Sequence, residues 1–260
     1  MTNQLQHRPE RVDALSATNG GGGTCGPYRS GVLGIRILGV GRRVHQLQQQ
    51  LTDLRGRRVV LLSHCLLNQN VRYLGRAGRA GGDNEVVADY LRRGIGIHQM
   101  PCPEQRAWGG VLKRMMLVAY GSGGTLRAPL VRLLLGPFVR YTRFRYARLA
   151  RTVVRDVLDY RRAEVDVVGV VGVADSPSCG VYTTLDLSGA VEVPTRCPLA
   201  RLDLRTLNED VVAAHVRPGQ GLYTRALQHR LADVGATVRF DEHNPAPGPY
   251  GPARRPASLA

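Results

Sequence analysis

At 260 residues and 28.4 kDa the chain is long enough for one sizeable domain with a full core, or for two small ones. Apolar residues make up 43% of it, no run approaches the roughly 18 to 20 that a membrane span needs, and the polar start MTNQLQHRPERVDALS lacks the apolar stretch of a secretory signal, so the sequence reads as a soluble cytoplasmic protein with no membrane partner. The formal charge of +16 invites a nucleic-acid partner, but 35 of the 36 basic residues are arginine and one is lysine, Lys113, spread along the chain without a dense basic tail; codon bias in a GC-rich genome accounts for that pattern, and nucleic acid is disfavoured.

Residues 1–56 read as a flexible extension. NGGGGTCGPYRSG is glycine-rich and carries Cys25 outside any rigid frame, and VHQLQQQLTDLRG suits a short helix. From residue 57 the pattern alternates. RRVVLLSH (57–64) is an apolar run passing into a polar loop, as a buried parallel strand does. NEVVADYLRRG (84–94) predicts a helix closed by glycine, and IGIHQM a second strand that ends in a Pro-Cys-Pro loop. GSGGTLRAP (121–129) looks like a phosphate-cradling loop but lacks the Gly-Lys-Ser/Thr of a P-loop, so it reads as a linker. Residues 136–163 predict a long helix with Tyr146, Ala150, Val153 and Val157 on one face. VDVVGVVGV (165–173) is the clearest buried strand; NEDVVAAHV and GLYTRALQHRLADVG read as helices, and ATVRF as a closing strand. The tail from 242 to 260 is proline-rich and reads as disordered. The alternation predicts a single α/β domain over 57–241 with a mostly parallel sheet flanked by helices.

The five cysteines, at 25, 65, 102, 179 and 197, are odd in number and include no Cys-x-x-Cys pair, which argues against a disulfide framework and against zinc-ribbon or thioredoxin spacing. Three follow predicted strands: Cys65 in SHCLLNQN, Cys102 in MPCPE and Cys179 in SPSCG. Ligands of open α/β sheets gather beyond the carboxyl ends of strands, so these three thiols are candidates to converge. Pro101, Pro103 and Pro177 stiffen the loops, and Gly180 lets backbone approach closely. Zinc would take three cysteines with a water or with His64 or His98. An iron–sulfur cluster on three cysteines would leave one iron without a protein ligand, and an open iron is a Lewis acid. The alternative is that all three are small buried residues at strand ends.

At these residues the sequence resembles the 2-thiouracil desulfurase family, a former domain of unknown function. The resemblance rests on CLLNQNVRYLG (65–75), CPE (102–104), SPSCG (176–180) and the closing GLYTRALQHRLADVGATV, and covers about residues 57–241. It implies a single α/β domain and a 4Fe-4S cluster held by Cys65, Cys102 and Cys179 with one iron not ligated by protein. It further implies a catalytic glutamate, Glu104, and a catalytic serine, Ser176, with Ser178 as the other choice. The sequence departs from the family pattern at Asn68, where glycine is usual, and at Leu74, where aspartate is usual, and the stretch from Cys102 to Cys179 is long for the family, which marks a divergent branch.

The expectation that follows is a non-redox desulfurase releasing sulfide from a thiolated pyrimidine or similar thioamide. Glu104 would activate a water, Ser176 would stabilise developing charge, and Arg72 would orient a substrate carbonyl. Cys197 is a candidate fourth ligand or a plain free thiol, and Trp108 and Tyr73 either stack on a flat base or pack. Two other readings stand beside it: a hydro-lyase type of enzyme on the same open iron acting on a hydroxy acid, and a non-enzymatic iron–sulfur or zinc binding protein, such as a sensor that touches RNA. The sequence does not set the oligomeric state.

Overall fold

The computed structural model describes residues 53–244 together with a few positions between 43 and 51. The chain divides into two compact units at Leu54 and Arg55, and the second carries the sheet. Cys25, four residues of the predicted helix before residue 56 (Val44, His45, Gln48 and Thr52) and the tail from 245 lie outside the described residues.

The second unit runs β1 (Arg58–Leu62), α1 (His64–Leu67), α2 (Asn84–Arg92), β2 (Gly96–Gln99), α3 (Pro103–Ala107), α4 (Arg114–Gly121), α5 (Ala128–Leu133), α6 (Leu135–Arg162), β3 (Asp166–Val173), β4 (Thr183–Leu185), α7 (Leu187–Arg196), β5 (Val216–Pro218), α8 (Leu222–Asp233) and β6 (Phe240–His243). Four strands form a parallel sheet in the order β2-β1-β3-β6, and β4 pairs with β5 in a separate antiparallel ribbon. This is the expected α/β architecture.

The strands read as continuous apolar runs because both faces of the sheet are covered. Leu61 and Val170 point into one cluster with Tyr146, Val153 and Val157 of α6 and Leu227 and Leu231 of α8. Their neighbours Val60, Leu62, Val171 and Val173 point the other way, against Leu66, Ile95 and, from α2, Val87 and Tyr90. The long helix α6 buries Thr142, Tyr146, Ala150, Val153 and Val157 at spacings of three and four, as its sequence pattern requires.

Two elements differ from expectation. The last strand lies at Phe240–His243, not at 236–240, so the sheet runs past the boundary read at 241. Its residues are mostly polar because it is an edge strand whose side chains pin neighbouring loops: Glu242 holds the loop after β3, and His243 meets Asp83 at 2.7 Å. The NEDVVAAHV stretch is not one regular helix but the wide turns Leu207–Val212 followed by Ala213–His215.

Candidate functional site

Strand order fixes where a site can form. From β1 the chain steps outward to β2, then crosses back to place β3 on the other side of β1. The order reverses between β1 and β3, and because all four strands are parallel their carboxyl ends share one edge; a crevice opens at that reversal. A cavity of about 870 Å³, counting its open mouth, lies there, and Cys65, Cys102 and Cys179 all line it.

Each cysteine is held by local geometry. Cys65 sits in α1, and its carbonyl accepts the Gln69 side-chain amide at 3.2 Å. Cys102 is the N-cap of α3, with its Sγ 3.4 Å from the Gln105 amide, and Pro103 follows in the first turn, where the missing N–H is no loss. Cys179 closes a tight loop in which Ser176 Oγ accepts the amides of Ser178 at 3.3 Å and Cys179 at 3.0 Å. Gly180 makes that loop possible, but not by admitting a ligand: a Cβ there would run into the Thr183 and Ser176 carbonyls. The loop is clamped from outside by Glu242, whose carboxylate accepts the amides of Val181 at 2.6 Å, Tyr182 at 2.8 Å and Thr183 at 3.1 Å and the Thr183 hydroxyl at 2.9 Å.

Burial raises all three thiols. Cys102 is pushed up to about 12 by desolvation and then by the charge of Glu104. Cys179 is pushed well up by desolvation and then by Cys65 and Cys102. Cys65 is raised by desolvation while Arg72 draws it back. His64, which also lines the cavity, is lowered by burial and by Arg106.

Glu104 faces the same cavity. Its Oε1 accepts the Ser178 hydroxyl at 2.9 Å, and its Oε2 lies 3.0 Å from Lys113 Nζ. Lys113 is 2% exposed and also donates to the Val71 carbonyl at 2.7 Å. An ammonium has three donors, so one proton remains for a ligand. Sequence reasoning missed Lys113, and a signal was present: in a chain whose other 35 cations are arginine, a single retained lysine marks a place that needs a compact point charge.

The remaining residues named from sequence fall on both sides of the line. Arg72, Ser176 and Tyr73 line the cavity, and Tyr73 meets Tyr120 edge to face at 5.8 Å. Trp108 reaches the cavity wall but is core, with its indole N–H on Thr142 at 3.0 Å. His98 points away, to Tyr160 at 3.3 Å and Asp156 at 3.6 Å. Cys197 ends α7 outside the cavity lining. Asn68 caps the turn that follows it, through the Asn70 amide at 3.0 Å, and Leu74 is exposed; neither lines the cavity. The long stretch after Cys102 contributes Lys113, Met116 and Tyr120 to the cavity, and Arg76 was a further lining residue that the sequence did not single out.

Two buried hydroxyls lie behind the site. That of Tyr223 has no hydrogen-bond partner among the described residues and that of Tyr146 lies beside Ser178; each residue is 1% exposed and neither lines the cavity. Burial raises both, and charges on Cys179 and Cys102 lie close enough to raise them further. Donors of this kind are costly to leave unmade, unless an acceptor sits beside the thiols.

Fold and site together define an α/β protein with a thiol-lined pocket at the switch point of its parallel sheet. Over 51 residues the chain is 43% identical to the uncharacterized protein MJ0003 of Methanocaldococcus jannaschii; the match spans 20% of this chain and a third of that relative's length. No family model matches the chain, and no solved structure matches it. Among the described residues, no three His, Cys, Asp or Glu side chains close around a point that would hold a single ion, and no helix is long and apolar enough to cross a membrane.

Proposed function

We propose that Cys65, Cys102 and Cys179 hold a 4Fe-4S cluster and that the protein is a non-redox desulfurase acting on a thiolated pyrimidine or similar thiocarbonyl compound, in a reducing cytoplasm. The observation that carries the reading is the arrival of three thiols from three successive strand-end loops in one cavity with a carboxylate, a buried ammonium and a hydroxyl. The donor set fits the group: three soft ligands in a desolvated pocket, with the buried Tyr146 and Tyr223 hydroxyls near enough to feel charge on Cys179 and Cys102. When bound, such a cluster supplies a Lewis-acidic iron open to a soft sulfur.

The chain's own residues supply the rest. Glu104 is fixed at both oxygens, so its free lone pairs point along set directions, and it takes the proton of a water that attacks the thiocarbonyl carbon. Lys113, with one donor unspent, stabilises negative charge developing on the substrate. Ser178 holds the orientation of Glu104, whereas Ser176 is engaged in shaping the Cys179 loop. Between the two serines the hydrogen bonds therefore favour Ser178 as the one that serves the chemistry. Arg72, Arg76 and the Tyr73–Tyr120 pair form the walls that a flat ring would meet.

The test is sulfide release from 2-thiouracil and a panel of thiolated bases by anaerobically reconstituted protein. Stoichiometric sulfide and desulfurised base support the reading. A fully loaded cluster with no sulfide from any member of the panel overturns the desulfurase assignment.

A further inference from the structure

A second cavity lies along the outer face of α6. From Arg140 to Arg155 this helix carries six arginines and no carboxylate. Four of them, Arg145, Arg148, Arg151 and Arg155, join Arg106 of α3 in lining an open groove of about 850 Å³. All five are exposed, and none pairs with a carboxylate among the described residues within 4.0 Å. The contact drawn within the groove is Arg145 Nη2 donating to the Arg106 carbonyl at 3.0 Å. Arginines three and four apart on one face repel, which weakens a helix unless a counter-charge arrives.

The shape of the charge selects its partner. The ten residue steps from Arg145 to Arg155 span about 15 Å of helix, and four guanidiniums spread along that length suit successive phosphates of one chain; a free phosphate would need two or three guanidiniums converging on one point. Beside the row stand two exposed rings, Tyr141 at 39% and Phe144 at 59%, with Arg145 over the first and Arg148 over the second, each 5.9 Å from the ring centroid. Rings interleaved with guanidiniums offer stacking faces to unpaired bases, which neither an acidic peptide nor a duplex would use.

We propose that this groove binds single-stranded nucleic acid, with its backbone on the arginine row and its bases on Tyr141 and Phe144. The groove shares Pro103 with the thiol-lined cavity, so a bound strand runs beside the helix that carries Glu104. The inference stands on the groove alone and does not depend on the cluster reading.

Fluorescence anisotropy with a 5′-labelled 12-nucleotide strand, as RNA and as DNA, over 50 to 200 mM salt, tests it on the full chain. Wild type binds both or one, with log K falling against log salt at a slope near −3, about −0.7 per phosphate contacted; the tighter arm identifies the natural strand. The Arg148→Glu/Arg155→Glu variant loses at least tenfold in affinity and about 1.4 of the slope. The Tyr141→Ala/Phe144→Ala variant loses at least about thirtyfold, from two stacking contacts at about 1 kcal/mol or more each, with the slope unchanged. Arg225→Glu, an exposed arginine on α8, leaves affinity unaltered. Absence of binding at 50 mM salt, an equal loss in Arg225→Glu, or competition by polyglutamate or duplex as strong as by the single strand each overturns the proposal.

Discussion

Replacing Lys113 by methionine probes the site most sharply without touching a thiol. Methionine keeps the unbranched side chain as far as Cε and removes the ammonium. The wild-type pair is 3.0 Å apart, with Lys113 2% and Glu104 12% exposed at the side chain. Deleting one partner of a buried pair costs about 3–5 kcal/mol, because the other charge is left uncompensated. Here the Ser178 hydroxyl still serves Glu104, while the Val71 carbonyl loses its donor, so the cost should fall near the lower end, about 3 kcal/mol. For a unit of this size that lowers Tm by roughly 6–12 °C. Urea unfolding of the metal-free protein, followed by Trp108 fluorescence and circular dichroism, measures it. Adding Glu104→Gln removes the stranded charge, so the double variant should be at least as stable as Lys113→Met alone, with a coupling of about 2 kcal/mol or more. A loss under about 1 kcal/mol for Lys113→Met, with additive behaviour in the double variant, would refute the claim that a buried Glu104–Lys113 pair organises the pocket.

Glu104→Gln, which keeps Lys113 and the cysteines, should retain wild-type iron content while sulfide release falls at least 100-fold; loss of iron along with activity would recast Glu104 as structural. The two serines should separate: Ser178→Ala slows turnover about tenfold with iron retained, and Ser176→Ala instead lowers iron per chain, because the Cys179 loop loses the acceptor of two amides. Glu242→Ala strips four charge-assisted hydrogen bonds from that loop and should destabilise the protein by about 3 kcal/mol, seen as a drop in Tm and as faster amide exchange confined at first to 179–185. The metal-free protein should lose stability as pH rises above about 9. The Cys102 thiol titrates near 12 when folded and near 9 when unfolded, so the folded state holds the proton that the unfolded state sheds, at about 1.4 kcal/mol per pH unit; Cys65 and Cys179 are displaced in the same direction. Melting curves from pH 7 to 10.5 check this, and a flat Tm across that range would contradict it.

Much of the fold was legible because buried parallel strands and long amphipathic helices write strong local patterns. RVVLL, GIHQ and DVVGVVGV fell where the apolar runs put them, and the α6 face was visible in Tyr146, Ala150, Val153 and Val157. The edge strand at 240–243 was not, because a strand that pairs on one side and uses its side chains as loop clamps carries no apolar alternation. The convergence of the three cysteines was readable from their position after strands, since strand order brings those loops to one edge. The partners of Glu104 were not readable: Lys113 is nine residues on, in a left-handed turn beyond the helix, and Ser178 arrives from 74 residues away. Charge was the other blind spot. Arginines that look scattered along the chain gather on one face once α6 winds them at 100° per residue, and a linear count cannot show that.

Iron and acid-labile sulfide counted on protein purified and reconstituted without oxygen, for wild type and four single variants, tests the central claim most directly. The account predicts about four of each per chain with visible charge-transfer absorbance in wild type and in Cys197→Ala, and loss of both in Cys65→Ala, Cys102→Ala and Cys179→Ala. Zinc in place of iron, or full iron loading that survives Cys102→Ala, would contradict it.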